Sequence, residues 1–145
     1  MKETHVVQPY LNFDGRCQEA LEFYGRALGA HVLMLMHYKD SPEHHMPGSC
    51  APPPGDKVMH TSFRIGRTTL MASDGRCSGK PSFHGVSLSL TVDTEAEASQ
   101  SFAALADGGE VQMPLAKTFF SPSFGMVTDR FGLLWMVIVA HEATD

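Results

Sequence analysis

QPYLNFDGRCQEALEFYGRALGAHV, residues 8–32, and SLSLTVDTEAEASQSFAALADGGEV, residues 87–111, carry one pattern twice. At a constant offset of 79 positions Asp14 meets Asp93, Phe23 meets Phe102, Gly29 meets Gly108 and Val32 meets Val111. Each copy opens on an alternation of period two. Leu11 and Phe13 set it in the first, and Leu88, Leu90 and Val92 between Ser87, Ser89 and Thr91 in the second. Such alternation is the mark of a half-buried strand. A helix follows in each copy, starting near Asp14 in the first and at a Thr94-x-x-Glu97 capping box in the second. Leu21, Tyr24 and Leu28 lie three and four apart on one face of the first helix; Ala98, Phe102 and Leu105 form a thinner stripe on the second. Gly29 and Gly108 are placed to end these helices in the left-handed conformation.

Outward from the repeat, three more strands are predicted per copy. They run over 32–38, 58–65 and 68–72 in the first half, and over 110–115, 119–128 and 133–140 in the second. Each half therefore reads βαβββ, an α+β pattern. The turns Ile65-Gly66-Arg67 and Phe131-Gly132-Leu133 join the last two strands of each half. Between residues 40 and 57 the prolines Pro42, Pro47, Pro52, Pro53 and Pro54 forbid regular structure, so this stretch is expected to be a loop or arm.

At 145 residues the chain is long enough for one domain with a core of its own. Module one is placed at about 5–75 with the 40–57 loop, and module two at about 84–140. Eleven basic residues against 16 acidic ones give a net charge of −5, with the basic residues scattered, so nucleic-acid binding is not expected. No apolar run approaches the roughly 20 residues of a membrane span, and the amino end has no signal-like stretch. Three cysteines, Cys17, Cys50 and Cys77, without a C-x-x-C pair fit reduced thiols and a cytoplasmic setting. Cys17, at the first turn of a helix, is a candidate for a lowered thiol pKa.

The βαβββ unit occurring twice resembles the vicinal-oxygen-chelate (glyoxalase/bleomycin resistance/dioxygenase) superfamily. Pro9-Tyr10-Leu11 with Asp14-Gly15, Ala20, Phe23-Tyr24 and Leu28-Gly29 narrows it, together with Met59-His60, Ser73-Asp74 and the closing 127–136 stretch VTDRFGLLWM. These look like the PhnB-like branch. The resemblance implies two modules whose strands form a cupped eight-stranded arrangement with helices outside, and a homodimer whose subunits complete each other's sheets. It also implies a test for a metal. Glyoxalase-like members hold a divalent cation by four side chains, from the first and last strand of each module, usually His or Glu. Here those positions fall at Gln8, Leu70, Ser87 and Met136. Leucine has no donor, and the other three are not a divalent-metal set, so no metal and no cofactor is expected.

Period two also nominates a ligand-binding face. Gln8, Tyr10 and Asn12 share one side of the first strand, Ser87, Ser89 and Thr91 one side of the fifth, and His60, Ser62 and Arg64 oppose the core-directed Phe63 and Ile65. With Met136, the set Gln8, Tyr10, Asn12, His60, Arg64, Ser87 and Ser89 is the candidate binding surface. His60 and Tyr10 are the candidates for acid-base chemistry, with Arg64 or Asn12 to steady an oxyanion. Phe119, Phe120 and Phe124 are candidate core or dimer contacts, or an aromatic wall. Members of the resembled branch have carried a methyltransferase label, yet the chain has no G-x-G-x-x-G between a strand and a helix, and no G-x-S-x-G elbow. Two readings stand: a small-molecule binding protein of the bleomycin-resistance kind, or an enzyme on a small organic substrate that does not use the usual metal site.

Overall fold

The computed structural model describes residues 1–41, 55–75 and 77–141. The chain divides into two compact units, Met1–Pro81 and Ser82–Asp145. The first holds β1 (Tyr10–Asn12), α1 (Cys17–Leu28), β2 (His31–His37), a single 3₁₀ turn at Tyr38–Asp40, β3 (Val58–Ile65) and β4 (Thr68–Ser73). The second holds β5 (Ser87–Val92), α2 (Glu95–Ala106), β6 (Glu110–Ala116), β7 (Phe124–Thr128) and β8 (Leu134–Val139). Each unit is βαβββ, and each builds one four-stranded mixed sheet, in the orders β1-β4-β3-β2 and β5-β8-β7-β6. The opening strand runs parallel to the closing one in both, and the remaining pairs are antiparallel.

One face of each sheet is covered by its own helix. In the first unit Leu11, Thr61, Phe63, Leu70 and Ala72 are buried with Ala20, Leu21, Phe23 and Tyr24 of α1, and Phe13 is fully enclosed. Tyr24 stacks on Phe63, their ring centroids 6.4 Å apart. The hydroxyl of the buried Thr61 donates to the Met34 carbonyl at 2.7 Å, which lets a polar side chain sit in that core. In the second unit Ala98, Phe102 and Leu105 of α2 pack over Val127, Trp135, Val137 and Val139. Glycine is required at position 125 by this packing, since a Cβ there would lie 2.8 Å from the Phe102 ring.

The helix ends differ from the sequence expectation in two places. α1 starts at Cys17 rather than near Asp14, because Asp14 takes a left-handed φ of 51° and turns its carboxylate to the Ser78 amide and hydroxyl. The α1 N-terminus is served instead from across the unit: buried Asp74, just past β4, accepts the Cys17 N–H at 2.7 Å and the Val58 N–H at 2.5 Å. Gly29 does close α1 in the left-handed conformation. α2 ends on Asp107 in extended backbone, with the left-handed turn one residue later at Gly108. The Thr94 hydroxyl accepts the Glu97 N–H at 3.1 Å as the capping box requires.

One strand boundary moves as well. β7 begins at Phe124, five residues later than predicted. The hydroxyl of buried Ser121 bridges the carbonyls of Ser123 and Val139, both at 2.8 Å, and folds 117–123 into a turn. The proline-rich stretch lies outside the described residues between 42 and 54. The expectation of three reduced thiols also fails, since Cys77 is disulfide-bonded, its partner lying outside the described residues, while Cys17 is free.

Burial, joined by the nearby charge of Asp74, pushes the Cys17 thiol well above the ordinary range. This reverses the lowered pKa expected from its place at a helix start, because desolvation of a thiolate outweighs the helix dipole. Native protein is therefore expected to leave Cys17 unmodified by iodoacetamide at neutral pH. Alkylation of that residue before unfolding, read by peptide mass mapping, contradicts the assignment.

Candidate functional site

The face of each sheet turned away from its helix is where ligand chemistry can sit, and the strand registers define it row by row. In the first unit Met34 lies opposite Ser62, Ser62 opposite Met71, and Met71 opposite Tyr10. One step along, Met36 faces His60 across β2 and β3, and Ser73 faces Asn12 across β4 and β1. One step the other way, His31 faces Arg64 and Arg64 faces Thr69. Tyr10 on β1 and His60 on β3 are separated by β4, and their long side chains meet across it. The Tyr10 hydroxyl meets His60 Nδ1 at 3.0 Å, with ring centroids 5.6 Å apart. Tyr10 is half exposed. If the phenol donates to Nδ1, the neutral imidazole carries its proton on Nε2.

Asn12 is placed on the same face but is already engaged. Its side-chain oxygen accepts the Asp14 N–H at 2.9 Å, and its amide packs so tightly on Gly75 that a Cβ there would come within 2.5 Å of it. Asn12 thus shapes the β1–α1 turn. Arg64 is the opposite case: it is exposed, and its side chain makes no ion pair or hydrogen bond among the described residues.

In the second unit the equivalent face carries Ser87, Ser89 and Thr91 on β5, opposite Leu134, Met136 and Ile138 of β8. Met136 faces Met126, and Met126 faces Met113. At the far end Phe119, Phe120 and Phe124 form a ladder of edge-to-face rings at 5.1 and 5.0 Å, with Phe119 97% exposed. These are not core residues. The candidate residues thus fall into two sets, Tyr10, Asn12, His60 and Arg64 on one sheet and Ser87, Ser89 and Met136 on the other. Gln8 is exposed just before β1.

The registers also correct one of the four positions taken for the metal ligands. Leu70 lies on the helix face, 3% exposed and opposite Phe63. Met71, not Leu70, holds the place of Met136, since each faces the first strand of its unit, Met71 at Tyr10 and Met136 at Ser89. The reason is the turn: Ile65 pairs with Thr68 around two residues, whereas three residues separate Asp129 from Leu133, whose carbonyl accepts the Asp129 N–H at 2.9 Å. One residue of difference flips a strand's faces. The corrected set of Gln8, Met71, Ser87 and Met136 still offers no carboxylate, imidazole or thiolate, so a divalent cation of the glyoxalase kind does not fit these positions. Among the described residues no three His, Cys, Asp or Glu side chains converge.

A sequence model of the family described as 3-demethylubiquinone-9 3-methyltransferase matches residues 5–138. The chain belongs to that PhnB-like family. Protein PA1353 from Pseudomonas aeruginosa is 43% identical, with a TM-score of 0.80 over 94% of this chain and 98% of its own. Protein YjdN of Escherichia coli is 33% identical over 94% of this chain and 96% of its own. The PhnB protein from Bacillus cereus, described as a 3-demethylubiquinone-9 3-methyltransferase, is 27% identical, with a TM-score of 0.76 over 94% and 100%. The wider fold is shared with a glyoxylase/bleomycin resistance protein/dioxygenase domain from Frankia, 14% identical with a TM-score of 0.62 over 97% and 99%. The PhnB-like fold accounts for the two four-stranded sheets with one helix each. None of the described helices is long and apolar enough to cross a membrane.

Proposed function

We propose that this PhnB-like chain is a small-molecule binding protein of the bleomycin-resistance type, acting without the superfamily's usual metal site. The observation that carries the reading is the make-up of the helix-free face in the first unit. Tyr10, His60, Ser62 and Arg64 are interleaved there with Met34, Met36 and Met71, a few polar groups set among adaptable apolar ones. Small-molecule sites have this composition. Working as a homodimer belongs to the same proposal. Methyl transfer fits the architecture poorly, because each sheet has a single parallel pair rather than the open, mostly parallel sheet of a doubly wound nucleoside-binding fold.

The Tyr10–His60 hydrogen bond supports a second reading, an enzyme in which this pair moves a proton to or from a substrate bound on the face. His60→Ala and Tyr10→Phe separate the two. A binding protein is expected to lose at most about tenfold in affinity, whereas an enzyme loses on the order of 100-fold or more in turnover with a small change in binding. Native mass spectrometry with and without a chelator wash tests the rest: a dimer of unchanged mass supports the proposal, and a chelator-removable metal overturns its metal-free part.

A further inference from the structure

The four strands of the first unit contain no Asp or Glu, although the whole chain carries a net charge of −5. On the helix-free face of that sheet the ionisable groups that can be cationic are Arg64, His31 across from it on β2, and His60. The guanidinium of Arg64 has no partner among the described residues, and Thr69 brings a hydroxyl to its other side from β4. In the neighbouring row lie Met34, Ser62 and Met71, with Tyr10 at its end. A chain of negative overall charge has thus placed a planar cation unpaired among the described residues, a second basic group and no carboxylate from the four strands at one end of a methionine-lined surface.

We propose that the ligand of this face is a small organic carboxylate, seated on Arg64 with His31 and Thr69 beside it, its apolar body lying over Met34 and Met71. The inference rests on the small-molecule reading given above and names the ligand class. The chemistry follows from the donor geometry. A guanidinium presents two parallel N–H groups that match the two oxygens of a carboxylate, and such paired contacts give orientation as well as affinity. A hydroxyl donor fits the same oxygens, and methionine adapts to apolar bodies of differing shape. Size follows from the strand rise. Arg64 and His60 lie four residues apart on β3, roughly 13 Å. A molecule anchored on Arg64 and about 10 Å long, on the scale of that rise, brings its far end to the Tyr10–His60 pair.

The test is a matched panel of 2-naphthylacetate, 4-phenylbutyrate and cyclohexylacetate, each with its neutral amide, titrated into the full chain while backbone amide NMR signals are followed. At least one acid is expected to shift Arg64, Ser62 and Met71 saturably and to bind tenfold or more tightly than its amide. Arg64→Gln is expected to bring the two within about twofold of each other, and Arg64→Lys to restore part of the preference, because a lysine keeps the charge without the fork. Both substitutions are at an exposed position, so folding is retained and a dispersed NMR spectrum verifies it. Raising the salt concentration is expected to weaken the acids and leave the amides unchanged. Amides binding as tightly as acids, or an acid preference that survives Arg64→Gln, overturns the carboxylate assignment and leaves the small-molecule reading standing. No saturable shift on this face with any member overturns both.

Discussion

Asp129→Ala is expected to cost the protein about 4 kcal/mol. The carboxylate is 3% exposed, and its two oxygens hold three donors: the N–H groups of Phe131 and Leu133 at 2.9 and 3.1 Å, and the indole N–H of Trp135 at 2.9 Å. Alanine removes this acceptor from all three buried donors, at roughly 1–3 kcal/mol for each such group. For a chain of this size that is a fall in melting temperature on the order of 10 °C. Asp129→Asn should recover about half of the loss, because one oxygen still accepts the two backbone N–H groups while its amide nitrogen faces the indole N–H, donor against donor. Adding Trp135→Phe removes that conflict, so the double variant should be less destabilised than the two single losses added together. Urea unfolding followed by tryptophan fluorescence measures the single substitutions, and circular dichroism the variant without Trp135. A loss below about 1 kcal/mol for Asp129→Ala removes the carboxylate from this role.

Asp74→Ala is the corresponding experiment on the first unit, with an expected cost of about 3 kcal/mol. Asp74, 1% exposed, accepts the first N–H of α1 and the first N–H of β3, so one side chain fixes the helix start to the sheet. Its negative charge also sits at the positive end of the helix dipole. Removing it orphans two buried donors and withdraws that charge together. A second readout comes from Cys17, whose thiol is held high by burial first and by Asp74 second. Loosening the helix start and deleting the carboxylate both act to lower it, so Asp74→Ala should make Cys17 measurably alkylated under native conditions. Unchanged stability with unchanged thiol protection would refute the tie between α1 and β3.

The repeat at an offset of 79 was legible because strand and helix periods are written in side-chain chemistry, and Leu11, Phe13, Phe102 and Leu105 are buried as their spacing demands. The opposite faces of β1, β3 and β5 were legible for the same reason. What escaped the sequence was set by contacts between distant positions. The face of Leu70 is not legible in the sequence because the length of a turn is fixed by hydrogen bonds such as Asp129 N–H to the Leu133 carbonyl, which composition does not display. Strand β7 reads too long in the sequence because Phe119 and Phe120 have strand-forming side chains, while the deciding group is the Ser121 hydroxyl bonded to Val139, 18 residues on. Asp74 and Asp129 stood in the motifs that marked the family, yet nothing local showed that each would be buried as a shared acceptor. The polarity of the helix-free face was readable, but the lack of a partner for Arg64 among the described residues was not, since that is a property of every neighbouring strand at once.

Strands β2 and β6 are the outer edges of their sheets, and each slips register at the same place in the repeat, between Val32 and Met34 and between Val111 and Met113. The extra residues are Leu33 and Gln112. An unbroken edge strand with apolar side chains exposes a regular row of amide donors and carbonyls, which any passing extended chain can match. A bulge interrupts that row and increases the local twist, so an incoming strand runs out of register after two or three residues. Val32, Leu33 and Met34, all more than 40% exposed, would otherwise make β2 a sticky template. The twin irregularity therefore guards these apolar borders against open-ended fibre growth, and deleting Leu33 to straighten β2 would trade that protection for insolubility.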